Sequence, residues 1–159
     1  MRPVPADTRP TDVRGLLVIV TNLASDAHTW NLIYLQLLLE ELGHRVANLG
    51  ACVPDDLMVG ECRSLLPDLI VMSTLNGHGH RDGPRAVARL RACPELRDTP
   101  IVIGGNLDIS GQENTETSDA LLAAGFDRVF HGTAGVLPFV KYLGSLRAVH
   151  PSALPAVAS

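Results

Sequence analysis

Five short apolar runs, separated by segments long enough to form helices, constrain the fold of this chain more than any other feature. The runs lie at 14–21, 45–50, 68–74, 100–105 and 127–130. The helix-length segments lie at roughly 29–43, 55–65, 83–93, 115–124 and 133–147. Continuously apolar strands are typical of a parallel sheet whose two faces are both covered by helices. The pattern therefore predicts a doubly wound α/β domain with a five-stranded parallel sheet, of the flavodoxin-like (Rossmann-like) type.

A chain of 159 residues suits one domain with a single substantial core. We expect that domain at 14–147, because residues 1–13 and 148–159 carry prolines and weak patterning and read as tails. The first residues lack the apolar region of a secretory signal, and no apolar stretch approaches the length of a membrane span. The cytoplasm is the expected location.

Charge and cysteine content exclude several classes of function. The net charge of -4 and the absence of a Lys/Arg run argue against nucleic acid or a membrane surface as partner. Cys52, Cys62 and Cys93 have no CxxC spacing, so a disulfide framework or a zinc knot is not expected. We interpret them as ordinary buried or half-buried thiols.

The most polar and glycine-rich loops of the chain follow three of the predicted strands. They read NLASDAHTWN after residue 21, LNGHGHRDG after residue 74 and NLDISGQEN after residue 105. In open parallel sheets, ligands bind outside the carboxyl ends of the strands, near the point where the strand order reverses. These loops are therefore expected to share one ligand-binding rim.

Asp26 and His28, two residues apart in the first of these loops, allow two interpretations. Asp26 can cap the first helix while His28 is solvated. Alternatively, His28 binds a metal through one ring nitrogen and Asp26 holds the other ring N–H, which fixes the tautomer. The His78–His80 segment is interpreted as a flexible glycine loop, since no further Cys/His ligands complete a zinc site. The chain has no GxGxxG or Walker A pattern.

The first predicted helix carries two apolar stripes, although one is enough to pack on a sheet. One stripe contains Trp30, Ile33, Leu37 and Leu38, and the other contains Leu32, Leu35 and Leu39. Either the helix is well buried within its own domain, or the extra stripe lines a ligand slot or a partner interface.

Three short motifs stand in order at the ends of predicted strands: DAHTWN at 26–31, STL at 73–75 and GG at 104–105. Their order and spacing resemble the cobalamin-binding domain, whose pattern is Asp-x-His-x-x-Gly, then Ser-x-Leu, then Gly-Gly. The likeness covers nearly all of 14–147. Within this superfamily the chain is most similar to the small-subunit family of glutamate mutase (methylaspartate mutase), through SDAH, STLNGHG, GGN and AAGFDRVFHGT.

The resemblance implies that adenosylcobalamin is the cofactor, with His28 as lower axial ligand to its cobalt and Asp26 as the hydrogen-bond partner of that histidine. The displaced dimethylbenzimidazole tail is expected in a slot between the sheet and the first helix. Ser73 and Leu75 would line this slot, and Gly104 and Gly105 would let the tail run close to the backbone. The full set of cofactor-binding residues implied by the resemblance is Ser25, Asp26, Ala27, His28, Thr29, Ser73, Thr74, Leu75, Gly77, Gly104, Gly105, Asn106, Leu107, Asp108, Ile109, Ser110, Gly132 and Thr133.

One residue departs from the family pattern. Asn31 stands where the motif has glycine. If glycine is needed there for a positive φ, asparagine is the least costly replacement. If glycine instead leaves room for the corrin ring, the Asn31 side chain collides with it.

The activity implied by the resemblance is the interconversion of glutamate and 3-methylaspartate, with this chain as cofactor carrier. A separate barrel-type large subunit would bind substrate and cover the upper corrin face, so the chain alone is expected to be inactive and to supply no acid, base or nucleophile. The alternatives are a corrinoid carrier for methyl transfer, a detached cobalamin domain of an acyl-CoA mutase, and a flavodoxin-like regulatory or interaction module that binds no cofactor.

Overall fold

The computed structural model describes residues 15–110 and 114–149, without the side chains of 147–149. The strands are Leu17–Thr21 (β1), Arg45–Asn48 (β2), Leu69–Thr74 (β3), Ile101–Gly105 (β4) and Arg128–His131 (β5). The helices are Trp30–Glu41 (α1), Asp55–Leu65 (α2), Gly79–Arg91 (α3), Thr115–Ala124 (α4) and Val136–Val149 (α5). Single 3-10 turns lie at Pro94–Leu96 and Thr133–Gly135.

The five strands form one parallel sheet in the order β2-β1-β3-β4-β5. The predicted flavodoxin-like architecture is thereby confirmed. The chain passes from β1 outward to β2 and then returns to β3 on the other side of β1, so the strand order reverses between β1 and β3. The loops that follow β1 and β3 flank this switch point, where open α/β sheets bind ligands.

Each face of the sheet carries its own hydrophobic core. On one face, Ile19, Ile70 and Met72 pack with residues of α2, α3 and α4; on the other, Val18, Val20 and Val71 pack with α1 and α5. Successive residues of β1 and β3 thus serve opposite cores. This explains why the strands are continuously apolar.

Several element boundaries differ from the prediction. The first strand begins at Leu17, not at 14, and α3 begins at Gly79 instead of 83. Pro84, which suggests a helix start, lies inside α3, where it lacks the N–H that would bond to the carbonyl of His80.

Helix α5 continues to Val149, so the first two residues of the predicted tail at 148–159 are helical. The remaining predicted tail residues, 1–13 and 150–159, lie outside the described residues, and the domain bounds 14–147 stay a prediction. Within the described part of the chain, no helix combines the length and the apolar character needed to cross a membrane.

Candidate functional site

The Asp26 carboxylate is the centre of the loop between β1 and α1. It is fully buried and accepts five hydrogen bonds. Oδ2 accepts from the Thr74 hydroxyl (2.7 Å), the Leu75 N–H (2.6 Å) and the Asn76 N–H (3.2 Å). Oδ1 accepts from the backbone N–H of His28 (3.0 Å) and lies 2.6 Å from its ring Nδ1. One oxygen therefore holds the end of β3, and the other holds His28.

Burial alone would raise the pKa of the Asp26 carboxyl. The hydrogen bonds from the His28 backbone, Thr74, the Leu75 backbone and the His28 ring outweigh burial and lower that pKa to about 2. Asp26 is therefore ionised at neutral pH and can only accept hydrogen bonds. We infer that His28 Nδ1 donates the proton of this contact, so that Nε2 is the ring nitrogen left for a further partner.

The His28 side chain is half exposed at the carboxyl-end rim of the sheet. Its backbone is tied to the loop because the Asn22 amide donates to the His28 carbonyl at 3.1 Å. The interpretation of Asp26 as a helix cap is wrong, since α1 has Thr29 as N-cap and no side chain caps it. The arrangement that remains is a histidine with one nitrogen fixed and the other directed away from its carboxylate partner.

A second set of contacts connects the same loop to neighbouring segments. The Ser25 hydroxyl donates to buried Asp82 of α3 at 2.6 Å. The Asn76 amide donates to the Ser25 carbonyl at 3.1 Å, and the Cys52 N–H donates to the Asp26 carbonyl at 2.9 Å. The loop is therefore fixed from three directions: α3, the end of β3 and the loop after β2.

A pocket of about 250 Å³ opens beside this loop, between α1, α5 and the carboxyl ends of β3, β4 and β5. We call it the slot. The residues that line it are Asn31, Tyr34, Leu35, Val71, Met72, Ser73, Leu75, Val102, Ile103, Gly104, Gly105, Asn106, Phe130, Gly132, Thr133, Gly135, Val136 and Phe139. Its wall is mainly apolar, and its few polar side chains are close to the rim. Such a cavity suits an extended, mostly apolar group held by few fixed polar contacts.

The residues predicted for cofactor binding fall into three groups. Seven line the slot: Ser73, Leu75, Gly104, Gly105, Asn106, Gly132 and Thr133. Five belong to the His28 loop: Ser25, Asp26, Ala27, His28 and Thr29. The remaining six, which do not line the slot, are Thr74, Gly77, Leu107, Asp108, Ile109 and Ser110.

The structure gives most of this last group other contacts. Leu107 is buried in the core on the face of α2, α3 and α4. Asp108 accepts hydrogen bonds from Ser110 of its own turn and from Thr117 of α4. Ile109 is 83% exposed at the rim.

The second glycine of the pair at the end of β4 is required by the sheet itself. Gly105 has a φ of 105°, and a Cβ there would lie 2.1 Å from the Thr74 carbonyl oxygen. A Cβ on Gly104 would lie 3.0 Å from the Phe130 carbonyl oxygen, which is a tight contact. Close contact with β3 therefore demands glycine at 105 whether or not a ligand is bound. Room for a ligand tail at these positions stays a prediction.

Asn31 does not adopt the positive φ that would favour glycine at this position. It lies in the first turn of α1, and the described non-glycine residues with positive φ are Cys52 and Leu66. Its amide nitrogen donates to the Ser73 hydroxyl oxygen (2.8 Å) and to the Ser73 carbonyl (3.1 Å). The side chain thus bridges α1 to β3 at the slot wall. The Ser73 hydroxyl still has its own proton to donate.

The two stripes of α1 have different environments. Leu32 and Leu39 are buried against the sheet, and Leu35 lines the slot. Trp30, Ile33 and Leu37 point outward and are 81%, 42% and 62% exposed. Leu38, the fourth residue of that stripe, is half-buried. The alternative of a helix buried entirely within its own domain is therefore wrong, because most of this stripe is exposed among the described residues.

Several residues of the site carry no motif in the sequence. Asn22, Asn76 and Asp82 hold the His28 loop, and Tyr34, Phe130 and Phe139 form much of the slot wall. Asn76 is in a loop that the strand pattern predicts at the rim. The aromatic residues have the sequence pattern that ordinary core packing also produces. No sequence signal therefore distinguishes an aromatic residue of the slot wall from one of the core.

Comparison with known proteins identifies the family. The model of the B12 binding domain matches residues 16–132. This chain belongs to the B12-binding family. It is 33% identical over 119 residues to the glutamate mutase sigma subunit of Halobacterium salinarum, covering 74% of this chain and 78% of that protein. It is 30% identical over 117 residues to the sigma subunit of Fusobacterium nucleatum, covering 71% of this chain and 82% of that protein. The predicted likeness to the glutamate mutase small subunits is confirmed.

Solved structures share the fold at low sequence identity. A cobalamin-binding protein from Desulfitobacterium hafniense DCB-2 superposes with a TM-score of 0.66 at 18% identity, covering 82% of this chain. This chain spans 60% of that protein. The signal receiver domain of a histidine kinase from Syntrophus aciditrophicus has a TM-score of 0.64 at 14% identity, covering 91% of this chain and 98% of that one. At these identities the likeness shows the fold alone, which several functions share.

Proposed function

We propose that this chain is the cobalamin-carrying subunit of an adenosylcobalamin-dependent glutamate mutase, which interconverts glutamate and 3-methylaspartate together with a separate catalytic subunit. The observation that carries the proposal is the Asp26–His28 pair at the rim beside an apolar slot, in a member of the B12-binding family. Names of the relatives support the glutamate mutase assignment. We place this subunit in the cytoplasm.

The residues present fit cobalamin. Cobalamin would take a ligand to its cobalt from the protein, and His28 would supply it. One ring nitrogen of His28 is held by Asp26 at 2.6 Å and the ring is half exposed, so the other nitrogen would be available to the cofactor. The slot offers the displaced dimethylbenzimidazole an apolar site, with Leu35, Phe130 and Phe139 in its wall. The Ser73 hydroxyl can donate a hydrogen bond to a ring nitrogen of that base.

When bound, the cofactor supplies homolysis of its cobalt–carbon bond. The residues of this chain bind the cofactor and orient it. Asp26 fixes the tautomer and direction of His28, and the apolar slot excludes water from the tail. We assign no acid, base or nucleophile to this subunit and expect it to be inactive alone. We propose that a barrel-type subunit binds the amino acid and covers the upper face of the corrin.

Binding spectroscopy of a His28→Ala variant tests this proposal. The purified wild-type chain, mixed with hydroxocobalamin or adenosylcobalamin and desalted, should retain the cofactor with the absorbance of a base-off, histidine-ligated form. His28→Ala should lose that spectrum and most of the bound cofactor.

His78→Ala is a matched control on the same rim, and it should bind as the wild type does. Retention of a histidine-ligated spectrum in His28→Ala would rule out the assigned ligand. Failure of the wild-type chain to retain any cobalamin would favour the interaction module instead.

A further inference from the structure

The outward face of α1 is apolar along most of its length. Trp30, Ile33, Tyr34 and Leu37 follow i, i+3, i+4, i+7 spacing, which places them on one side of a helix. They are 81%, 42%, 52% and 62% exposed. We call these four side chains the outer stripe. Trp30, Ile33 and Leu37 face away from the sheet, since Leu32 and Leu39 of the same helix are buried against it. Tyr34, at the edge of the stripe, also forms part of the slot wall.

Helices α2 and α3 carry charged residues on their outward faces, although α2 also exposes Leu57 (49%). Exposed positions of α3 carry Arg81, Arg85 and Arg89, and exposed positions of α2 carry Asp56 and Arg63. A surface helix normally needs such residues, and a contiguous exposed apolar patch marks an interaction site. The outer stripe is therefore a surface that another molecule covers.

We propose that the outer stripe docks the catalytic subunit of the assembled enzyme, as a continuation of the contact that covers the bound cobalamin. This inference rests on the proposed function. The stripe begins with Trp30, two residues after the assigned cobalt ligand His28. A protein that covers the rim above His28 consequently reaches Trp30 and can continue along α1.

The area of the stripe favours this occupant over a second copy of the chain. With side-chain areas of about 150–250 Å² for aromatic residues, the four exposed side chains offer roughly 500 Å². A stable interface needs about 800 Å² on each partner. Two copies packed stripe to stripe fall short of this area. A partner that also covers the rim adds Leu75 and Ile109, which are 37% and 83% exposed.

The charge of α1 specifies the chemistry of the partner surface. The helix contains no Lys or Arg and ends with exposed Glu40 and Glu41. We infer an apolar groove on the catalytic subunit, with basic residues at the end that meets these glutamates.

Charge placed on the stripe away from the cofactor tests the inference. Leu37→Glu is the test variant, and Leu122→Glu is the matched control because Leu122 is 42% exposed on α4, across the sheet. Both proteins are loaded with hydroxocobalamin and titrated with the purified cognate catalytic subunit, and assembly is followed by sedimentation velocity. Leu37→Glu should keep wild-type cobalamin binding and weaken assembly at least about tenfold. Leu122→Glu should change neither quantity.

Assembly of Leu37→Glu with wild-type affinity would overturn the inference. So would a dimer of the wild-type chain alone that Leu37→Glu dissociates without weakening assembly, because the stripe would then bind a second copy. Should Leu37→Glu fold poorly by circular dichroism, Leu37→Gln removes the apolar contact without adding charge and is expected to weaken assembly in the same direction. Failure of the wild-type chain to bind cobalamin is a separate result, and it refutes the proposed function itself.

Discussion

The His28 loop and the slot lie side by side on one rim, yet they are built in opposite ways. In the loop, one buried carboxylate accepts five hydrogen bonds from residues of two segments. In the slot, the wall is mostly apolar and shape comes from packing of side chains such as Leu35 and Phe139. The metal ligand proposed for the loop needs a fixed direction, which hydrogen bonds provide. The cofactor tail proposed for the slot needs apolar area, which packing provides.

This difference determines how each region responds to change. A buried polar network is stabilising only when every member has its partner, so the loss of one group leaves several donors unpaired. An apolar wall tolerates replacements of similar size and shape. We therefore expect the loop to be sensitive to loss of a single charge, and the slot to be sensitive mainly to charge or bulk introduced into it.

The largest effect is expected for Asp26→Ala. The change leaves the Thr74 hydroxyl and the Leu75 N–H without their buried acceptor and frees the His28 ring to rotate. We expect the free energy of unfolding to fall by about 2–3 kcal/mol. We also expect cobalamin affinity to fall by about 10–100-fold, the range typical for loss of the residue that hydrogen-bonds a metal-bound histidine. Urea unfolding and absorbance titration measure these two quantities.

Asp56→Ala is the control for Asp26→Ala. Asp56 of α2 is exposed and pairs with exposed Arg89 of α3, and these two helices cover the sheet face opposite α1 and α5. Its loss should cost about 1 kcal/mol or less and leave cobalamin affinity unchanged. If both variants weakened cobalamin binding equally, Asp26 would have only a general stabilising role.

Leu35→Arg tests the slot and should have a smaller effect on folding. The half-buried Leu35 lines the slot, so a guanidinium there either fills the cavity or makes the site for the tail polar. We expect cobalamin retention after desalting to fall by at least about tenfold. Leu37→Arg places the same side chain two residues later on the outward face of α1, and it should retain cobalamin like the wild type.

The smallest effect is expected for Thr74→Val, a change close in shape that removes one donor to Asp26. Because the folded-state pKa of Asp26 is lowered from 3.8 to about 2, its stabilising contribution is present above pH 4 and is lost as the pH falls towards 2. Without the Thr74 hydroxyl, that pKa rises and the contribution shrinks. We expect about 1 kcal/mol lower stability than wild type at pH 7.

The same variant makes a prediction about pH. The stability difference between Thr74→Val and wild type should decline below pH 4, because protonated Asp26 no longer needs the donor. Unfolding at pH 7, 4 and 2.5 checks this trend. A difference independent of pH would mean that Thr74 acts through packing alone.

Much of the fold could be predicted from the sequence, because strand and helix signals are local. Each strand was predicted within three residues of its observed start, and the rim followed from the rule for open sheets. The pairing of Asp26 with His28 was also accessible, since a spacing of two in a loop allows direct contact. The early start of α3 was missed because Pro84 usually marks the beginning of a helix.

Other parts of the site depend on contacts between distant residues. The Thr74 hydroxyl that holds Asp26 is 48 positions away, and the Ser73 hydroxyl that meets Asn31 is 42 positions away. Spacing along the chain carries no information on such distances. Leu107 shows that position near a motif can also mislead. It follows the Gly-Gly motif and is predicted to bind the cofactor, but its side chain is buried in the core on the face of α2, α3 and α4.

The sequence by itself determined a layered α/β domain, the rim on which its polar loops gather and the pairing of an acid with an imidazole. Each of these follows from periodicity or from neighbouring residues. Only the tertiary structure decided which side of α1 meets the sheet, the slot or the surroundings. The reason is physical: periodicity orients a helix through the contrast between its apolar and polar faces, and α1 is apolar on nearly every side.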